Sequence, residues 1–429
     1  MMSDMGAVNA FRLLVEARRN QWLKPSELEE LQEKRLRAIV KHAYENTIYY
    51  HRRFKESEIT PDDIRSSEDL KKIPVTTKDD VRKYGLTEMT SHGLNLNKCR
   101  IVPTSGSSGT PMRIVYDQNA DDFSKAINLR SMIENGLGIT DRMVNLGDMR
   151  TAKKPLWFQK LGVLNLQTVD IFDDIDKEVD DLLKINPKSM IGYASQLRLL
   201  SEYKLKHDLN GLQPNTIFST AEILDPDTRR IINTAFDLNV VDLFGCIEVN
   251  RTAWECQEHC GYHMDVDSVV MELLDDGESV SAGERGEVVY TSLYNYAMPL
   301  IRYQVGDVAT PTDEICPCGR GLPLLKSVEG RKDDFIQLPS GKAISPMTIH
   351  LIVKHTPEIV ECQVTQESLD KISVSLVVTG KFTNVHSQRL IQEMNQALNN
   401  EISVDIRVVD AIQRGPNGKM RMVISKVKP

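Results

Sequence analysis

The 429-residue chain lacks an uninterrupted apolar segment of the ~20 residues that a membrane-spanning helix needs. Its first residues also lack a basic start followed by an apolar core, so we expect neither a membrane anchor nor a secretory signal. No basic surplus is present, since 53 Lys and Arg stand against 61 Asp and Glu for a formal net charge of −8. Because phosphate-backbone binding requires such a surplus, we expect no nucleic-acid partner.

Cysteines are few, and their number does not suit a disulfide scaffold. The seven cysteines of this large chain are an odd number, and four of them cluster as Cys256 with Cys260 and Cys316 with Cys318. In a cytoplasmic protein, which is the location we expect, such clusters indicate a metal before a disulfide. A content of 41% hydrophobic and 27% charged residues is ordinary for a globular chain of two to four domains.

The order of apolar patterns predicts an α/β protein in two parts. Residues 1 to about 95 read as charged helices, and from about 98 to 245 strands alternate with helices. VLNLQTVDIF, NTIFST and NVVDLFG read as buried strands, and Asp225-Pro226 opens a helix that runs through Phe236. Strands and turns follow from about 262 to 330. We therefore predict a large layered N-terminal domain over residues 1–331, with α/β subdomains and a β-rich subdomain, and a small mobile α+β domain over 332–429.

The strongest local motif is TSGSSGTP at residues 104–111. Two glycines and five hydroxyl residues between two strands give a flexible loop whose N–H and O–H groups can surround a polyphosphate. It is not a Walker A loop, because no lysine follows the second glycine. A surface hairpin turn, which also favours glycine and serine, explains this stretch about as well when it is taken alone.

Four shorter motifs carry charged residues at turns. FGCIEVN places Glu248 after a buried strand, where Mg²⁺ could bind, and RYQVGD places Asp307 at what reads as a strand end. GRKDD at residues 330–334 lies at the predicted domain boundary, and GPNGKMR places Lys419 on a glycine-proline loop. Each motif alone is explained equally well by a solvated loop residue.

In their order and spacing, these motifs together resemble the adenylate-forming superfamily of acyl-CoA ligases, luciferases and adenylation domains. From about residue 25 onward, the chain is similar to the phenylacetate–CoA ligase branch. The segments that carry this similarity are TSGSSGTP, the aromatic-glycine-x-x-glutamate turn, AWEC, GYHMDVD, GERGEVVYTSL, AMPLIRYQVGD and GRKDD. The resemblance implies an adenylate-forming N-terminal domain with a mobile lid. It also implies an enzyme that activates a carboxylic acid with ATP and transfers the acyl group to coenzyme A.

The resemblance further implies roles for residues of this chain. The ATP phosphates would be bound by Ser105, Gly106, Ser107, Ser108, Gly109 and Thr110. The nucleotide pocket would include Ala221, Glu222, Phe244 and Gly245, and the ribose would contact Asp307 and Arg331. Glu248 would hold Mg²⁺, Lys419 would be the catalytic lysine, and Asp333 would be the hinge. The chain departs from many members in having Cys246 and Ile247 before the glutamate, and Met298 and Tyr193 could touch the acyl group.

A structural Zn²⁺ site is the last expectation. C-x-C at 316–318 with a distant Cys/His group is a reasonable zinc pattern, and some relatives in this branch carry a structural zinc. Cys256, Cys316 and Cys318 form the predicted set with one of His259, Cys260 and His263. The resemblance favours His263. Ordinary reduced thiols are the alternative.

Two other functions stay open at this stage. Some relatives resemble adenylyltransferases that use no CoA and act on a deazaflavin-type coenzyme, and others belong to capsule biosynthesis. A nucleotide-binding protein without chemistry is the third reading, and the retained Glu248, Asp307, Arg331 and Lys419 argue against it. The identity of the acid is not predicted, and a homodimer is an expectation only.

Overall fold

The computed structural model describes residues 4–103, 112–152, 157–354, 356–415 and 418–427. The N-terminal region is helical, as predicted, with α1 (Asp4–Asn20), α2 (Pro25–Asn46), α3 (Ile48–Glu56) and α4 (Lys78–Met89). The buried residues of α2, among them Leu28, Ile39 and Ala43, recur at helical spacing and pack on the body of the protein. Among the described residues, no helix is long and apolar enough to cross a membrane.

Twelve strands form one sheet through the body of the protein, in the order β11-β10-β12-β13-β14-β9-β8-β7-β6-β5-β3-β4. The parallel half comprises β3 (Arg142–Gly147), β4 (Asn165–Asp170), β5 (Ser189–Gly192), β6 (Thr216–Thr220) and β7 (Val241–Cys246). The antiparallel half comprises β8 (Asn250–Glu255), β9 (Tyr262–Met264), β10 (Val269–Asp275), β11 (Glu278–Ser279), β12 (Gly286–Ser292), β13 (Tyr303–Thr312) and β14 (Leu324–Arg331). A separate hairpin of β1 (Arg100–Pro103) and β2 (Arg113–Tyr116) flanks residues 104–111.

Helices of the parallel half are α5 (Gln118–Ile133), α6 (Trp157–Lys160), α7 (Ile175–Ile185), α8 (Ala194–His207) and α9 (Pro226–Phe236). The predicted start of α9 is confirmed, because the Asp225 side chain accepts hydrogen bonds from the N–H groups of Asp227 and Thr228 at 2.9 and 2.8 Å. The helices α7, α8 and α9 end on Asn186, Asp208 and Asp237 in the left-handed region, which Asn and Asp tolerate better than most residues.

One strand differs from its prediction as a buried strand. β4, which carries the NLQTVD part of VLNLQTVDIF, lies at the edge of the sheet, and Leu166 is 45% exposed. An apolar run is equally compatible with a central and an edge strand. Its place in the sheet depends on pairing that the sequence alone does not reveal.

The C-terminal part is a small α+β domain, as predicted. It contains β15 (Ile336–Gln337), β16 (Ala343–Ile344), α10 (Pro346–Lys354), β17 (Ile359–Ser368), β18 (Lys371–Val378), α11 (Asn384–Ala397), β19 (Ser403–Val408) and β20 (Val423–Ser425). Four strands form a sheet in the order β19-β18-β17-β20. Its buried apolar side chains, from Ile336 to Val423, form a core of their own. A domain with its own core can move as a unit relative to the larger one.

Candidate active site

Glu248 lies two residues beyond the end of β7, at the carboxyl edge of the parallel strands. Its side chain is buried, and the Tyr303 hydroxyl lies 3.1 Å from Oε1. Burial and the negative charge of Glu248 raise the pKa of Tyr303 well above its ordinary value, so this hydroxyl stays protonated and donates. One carboxylate oxygen is therefore fixed by Tyr303. Carboxylate oxygen is the ligand type that Mg²⁺ prefers, so the residue present fits that ion.

Two more tyrosines fix the main chain around Glu248. The Tyr116 hydroxyl at the end of β2 donates to the carbonyl oxygens of Ile247 and Glu248 at 2.9 and 3.0 Å. The Tyr294 hydroxyl donates to the carbonyl oxygen of Val249 at 3.0 Å. We call Tyr116, Tyr294 and Tyr303 the tyrosine clamp. Since β2 directly follows residues 104–111, the clamp also connects that loop to the glutamate turn.

Gly245 makes the tight turn between β7 and β8 possible. A Cβ atom at this position would lie 2.1 Å from the carbonyl oxygen of Asn250 and 3.0 Å from the Cα of Arg251. Because backbone atoms cannot withdraw as a flexible side chain can, any other residue would force the two strands apart. Phe244, half-buried beside it, packs against the main core. The sequence named both residues but gave the glycine no steric reason.

Asp307 and Arg331 face each other across neighbouring strands. They are register partners in β13 and β14, and Arg331 Nε lies 3.7 Å from Asp307 Oδ1. Asp307 lies inside β13 beside a register shift, so the prediction of a strand end is wrong. Burial raises the pKa of Asp307 to about 6, while the positive charges of Arg331 and Lys78 act against that shift.

Ala221 and Glu222 follow β6 directly. Ala221 has a φ of 65°, which is unusual for a residue with a Cβ, and its side chain is exposed. The Glu222 carboxylate accepts two main-chain hydrogen bonds, from Ser195 N at 2.8 Å and from Met420 N at 2.9 Å. The first satisfies an N–H in the opening turn of α8, and the second joins the large domain to the C-terminal one.

Lys419 is carried to the same edge of the sheet by the C-terminal domain. Burial lowers the pKa of Lys419, and the positive charge of Arg331 acts in the same direction. The carboxylates of Glu222, Asp307 and Glu248 oppose this shift, so all three lie within electrostatic reach of the ammonium group. Residues more than a hundred positions apart in sequence thus meet around one space.

Packing around the lysine explains its position. The Lys419 ammonium lies 5.4 Å from the centroid of the Tyr193 ring. The backbone of Gly418, with a φ of 78°, approaches the large domain so closely that a Cβ would lie 2.5 Å from Ile171 Cδ1 and 3.4 Å from Phe172 Cζ. Met298, expected near the acyl group, lies fully buried in the main core.

Residues 104–111 lie outside the described residues. This applies to the six residues expected to bind the ATP phosphates: Ser105, Gly106, Ser107, Ser108, Gly109 and Thr110. The flanking hairpin is described, with Pro103 paired to Arg113 and Arg100 paired to Tyr116. Those residues therefore connect two paired strands, as the sequence predicts, and their role in phosphate binding stays a prediction.

A second cluster lies away from this edge. One ligand atom from each of Cys256, His263, Cys316 and Cys318 can be chosen so that all lie within 4.8 Å of one another. Cys256 Sγ is 3.5 Å from Cys316 Sγ, and Cys318 Sγ is 3.3 Å from His263 Nε2. A thiol–thiol pair and a thiol–imidazole pair at these distances suit a tetrahedral zinc site with bonds of about 2.0–2.3 Å.

The electrostatics of His263 and Cys318 suit metal ligands, whereas burial raises the pKa of Cys256 and Cys316. Burial lowers the pKa of His263 to about 4, with the positive charge of Arg320 acting the same way, so the imidazole is neutral as a metal ligand must be. Burial tends to raise the pKa of Cys318, but hydrogen bonds from Arg320 outweigh it and the net direction is down. The alternatives do not join the cluster: Cys260 is exposed, and His259 lies beside Glu255.

Sequence reasoning missed three groups of residues at the main site. It named neither the tyrosine clamp, nor Lys78, whose ammonium donates to the carbonyl oxygen of Val305 at 2.6 Å, nor the buried Arg251. Tyr303 stands inside RYQVGD, a motif quoted for Asp307, whereas Tyr116 and Tyr294 stand outside the motifs. No signal in the sequence connects these tyrosines with Glu248, because a tyrosine in or next to a strand is ordinary core composition.

Comparisons with known proteins agree with this geometry. Residues 336–426 match the CapK C-terminal domain family. A crystal structure of 2-hydroxyisobutyryl-CoA ligase in the postadenylation state, with 2-HIB-AMP, superimposes with a TM-score of 0.79 at 21% identity, covering 95% of this chain and 91% of that one. The same ligase in the thioesterification state, with 2-HIB-AMP and CoA, gives 0.63. The fold is that of the adenylate-forming enzymes.

Proteins of similar sequence align with most of this chain. Phenylacetate-coenzyme A ligase of Escherichia coli is 28% identical over 382 residues, which cover 85% of each protein. Protein CapK of Staphylococcus aureus is 24% identical over 417 residues, covering 94% of this chain and 90% of that protein. The resemblance to the phenylacetate–CoA ligase branch of the adenylate-forming superfamily, expected from the motifs, is confirmed.

Proposed function

We propose that the protein activates a carboxylic acid with ATP, releases pyrophosphate, and transfers the acyl group from the adenylate to coenzyme A. The observation that carries this proposal is the meeting of Lys419 with Glu222, Glu248 and Asp307 at the carboxyl ends of β6 and β7. In α/β sheets this edge is where ligands bind. Similarity to phenylacetate–CoA ligases over 85% of the chain supports the same reaction.

The residues fit the charges of that reaction. An acid is already ionised at neutral pH, so its oxygen can attack the α-phosphorus of ATP without a general base. Both reactants are anions, and the ammonium of Lys419 offsets their repulsion and stabilises charge that develops on the phosphate. Mg²⁺ held by Glu248 would supply further charge neutralisation on the phosphates. The CoA thiol then attacks the acyl carbon, and AMP leaves.

The other residues of the candidate active site would bind the nucleotide. We assign the ribose hydroxyls to Asp307 and Arg331, which lie side by side on β13 and β14. The base and sugar would lie against the turns that follow β6 and β7, formed by Ala221, Glu222, Phe244 and Gly245. The loop containing Ser105, Gly106, Ser107, Ser108, Gly109 and Thr110 would bind the phosphates.

Domain movement would separate the two half-reactions. We propose a boundary at residue 331, with Asp333 as the hinge in the short turn that follows β14. In the structure Lys419 is at the site, and the higher TM-score with the postadenylation state than with the thioesterification state supports an adenylation arrangement. Rotation of the C-terminal domain would withdraw Lys419 and open a path for the thiol.

The cysteine cluster would hold one structural Zn²⁺. Four protein ligands, namely Cys256, His263, Cys316 and Cys318, leave no open position for a substrate. The ion would tie the end of β8 and the strand β9 to the turn between β13 and β14. A reduced, cytoplasmic setting suits such thiolates, and that location stays a prediction, as does a homodimer.

Similarity to Protein CapK supports a second candidate. Residues 336–426 match the CapK C-terminal domain family, and 94% of the chain aligns with Protein CapK. The alternative enzyme would form the same acyl-adenylate, or move AMP to another acceptor, without CoA. Either enzyme would use all residues of the nucleotide site. The two candidate functions therefore differ only in the acceptor, which is CoA in the first and another molecule in the second.

One experiment tests these readings together. Purified protein would be incubated with ATP, Mg²⁺ and a panel of carboxylic acids, with and without CoA, and pyrophosphate, AMP and thioester would be measured. The proposal predicts acid-dependent pyrophosphate release, with sustained turnover and thioester only when CoA is present. Turnover without thioester in the presence of another acceptor would favour the second candidate. No acid-dependent pyrophosphate from folded, ATP-binding protein would contradict both.

A further inference from the structure

Arg251 is a buried cation without a matching anion. It is the second residue of β8, and only 7% of it is exposed. Its Nε has no hydrogen-bond partner among the described residues, and Nη1 lies 3.5 Å from the Thr220 hydroxyl, at the limit of a hydrogen bond. In the described chain, no carboxylate lies within ion-pair distance of this guanidinium. Leaving a buried charge so poorly paired is costly, and most buried arginines avoid it.

The nearest acidic groups each bind other residues through one oxygen, while Asp242 Oδ1 and Asp265 Oδ2 have no hydrogen-bond partner among the described residues. Asp265 accepts hydrogen bonds from the Arg130 guanidinium and from Trp254 Nε1. Asp242 Oδ2 accepts a hydrogen bond from the Tyr262 hydroxyl at 2.8 Å. Both carboxylates act on Arg251 only through space, and burial lowers the pKa of Arg251 to about 10 despite their charge. An arginine remains protonated at neutral pH even so.

The position of Arg251 places this charge beside the reaction site. Arg251 is the register partner of Gly245, on the glycine turn that leads to Glu248. Its neighbour Thr220 ends β6 and precedes Ala221 and Glu222. Arg251 lies three positions after Glu248, so their Cα atoms are at most about 11 Å apart. Nη1 of Arg251 therefore lies beside the end of β6, next to the turn of Ala221 and Glu222 to which we have assigned the nucleotide.

We propose that Arg251 binds a second carboxylate of the acid substrate, so that the enzyme activates dicarboxylic acids. This inference rests on the proposed function, since it names the substrate class of the same site. One carboxylate of the acid would face Lys419 and the α-phosphate. The other would accept the hydrogen bonds that Arg251 has to offer, and the planar guanidinium can bind a carboxylate with two parallel hydrogen bonds. A monocarboxylic acid of equal length would leave the charge unpaired.

The test compares matched acids. Butanoate with succinate, hexanoate with adipate, and phenylacetate with 4-carboxyphenylacetate differ within each pair by one carboxylate. Binding would be measured by calorimetry without ATP, and kcat/KM from pyrophosphate release with ATP. The variants are Arg251→Met, which keeps the apolar stem, and Arg251→Lys, which keeps the charge. Arg230→Met, an exposed arginine on α9, is the control.

We expect the wild type to prefer the diacid of at least one pair by roughly 10- to 100-fold, as a hydrogen-bonded charge pair allows. Arg251→Met should lose that preference, Arg251→Lys should keep part of it, and the KM for ATP should not change. An unchanged preference in Arg251→Met would overturn the inference. So would a wild type that prefers every monoacid.

Two further outcomes separate the possible failures. If no acid releases pyrophosphate but calorimetry shows diacid binding that Arg251→Met abolishes, the proposed function fails and the Arg251 site stands. If Arg251→Met is unstable, the Arg251→Lys variant and the double variant with Asp242→Asn decide. Recovery of the melting temperature in the double variant with an unchanged acid preference would make Arg251 a structural partner of Asp242 and overturn the inference.

Discussion

Glu248 and Lys419 are held at the site in different ways. We call Glu248 and the turn that carries it the floor of the site. Glu248 is buried, and the tyrosine clamp fixes its turn and one carboxylate oxygen from inside the large domain. Lys419 instead arrives on a domain with a separate core, and its loop meets the large domain at Glu222, at Ile171 and at Tyr193. The floor is thus complete once the large domain has folded. The position of the lysine depends on contacts between the two domains, which the proposed rotation would break.

The largest effect should come from the docked lysine. Lys419→Ala removes the only charge that the C-terminal domain is proposed to bring to the phosphate, so adenylation should slow by roughly 10²–10³-fold. ATP binding should change little, because the floor is intact. The measurement is acid-dependent pyrophosphate release, with Lys426→Ala as the control, since Lys426 is exposed on the same domain. Normal release by Lys419→Ala would contradict the assignment.

Loss of a ligand from the cysteine cluster should lower the stability of the large domain, which carries the floor of the site. Cys318→Ser should remove one metal ligand, lose about one zinc per chain by elemental analysis, and lower the melting temperature, because zinc binding contributes to folding. Cys260→Ser, at an exposed cysteine outside the cluster, is the control and should keep the metal. The preferred acid should be the same in both. Folded, active wild type without stoichiometric metal would refute the zinc site.

Asp307→Asn should weaken ATP binding, because an amide offers one acceptor oxygen where the carboxylate offers two. Loss of a hydrogen bond to a charged group predicts a dissociation constant about tenfold higher. For the wild type, ATP affinity should also fall as the pH drops below about 6, where buried Asp307 takes up a proton. Calorimetric titration with ATP from pH 5 to 8 measures both. A flat wild-type profile in that range would speak against Asp307 as the ribose acceptor.

The same substitution should have the opposite effect on stability. Because the folded pKa of Asp307 is raised, its charge costs stability once the pH exceeds the ordinary carboxyl value, and the cost is complete above about pH 6. Asp307→Asn should therefore be more stable than the wild type at pH 8, and the two should converge toward pH 4. Thermal unfolding at both pH values checks this. A variant less stable at pH 8 would show that the ion pair with Arg331 dominates.

A smaller effect is expected from the clamp. Tyr303→Phe removes one hydroxyl and leaves the ring, so the Glu248 carboxylate loses its fixed orientation while the fold is kept. The Mg²⁺ concentration for half-maximal activity should rise by about 3- to 10-fold, with an unchanged KM for the acid. Tyr290→Phe is the matched control, because its buried hydroxyl pairs with Thr252. Equal Mg²⁺ dependence in both variants would exclude a positioning role for Tyr303.

The smallest effect on activity should come from Glu222, which joins the large domain to Met420 of the C-terminal domain. Glu222→Gln keeps the size of the side chain but leaves one of the two main-chain donors, at Ser195 or Met420, without its acceptor. Adenylation should slow by about 2- to 5-fold, whereas thioester formation from a supplied adenylate should be unaffected. Glu202→Gln, on α8, is the control. Equal slowing of both steps would assign Glu222 to the nucleotide alone.

The sequence revealed the motifs of the site, but the contacts between them came from the fold. Strand and helix alternation, the Asp225 cap and the small C-terminal domain were readable because they depend on local patterns. The tyrosine clamp could not be predicted from local patterns, because it joins Tyr116, Tyr294 and Tyr303 to one turn across long sequence separations. The resemblance had favoured His263 for the cysteine cluster, and the pairing of β9 with β14 brings this residue to the cysteines. Such pairing is a property of the sheet.

The half-reactions of Lys419→Ala test the central claim most directly. We propose that docking of Lys419 serves adenylation alone, whereas the turn that carries Glu248 serves both steps. The variant would be given either acid with ATP, or a synthetic acyl-adenylate with CoA, and the rate of each step would be compared with that of the wild type. We predict a loss of about 10²-fold or more in the first step and a thioester rate within about twofold in the second. Equal losses in both steps would contradict the claim.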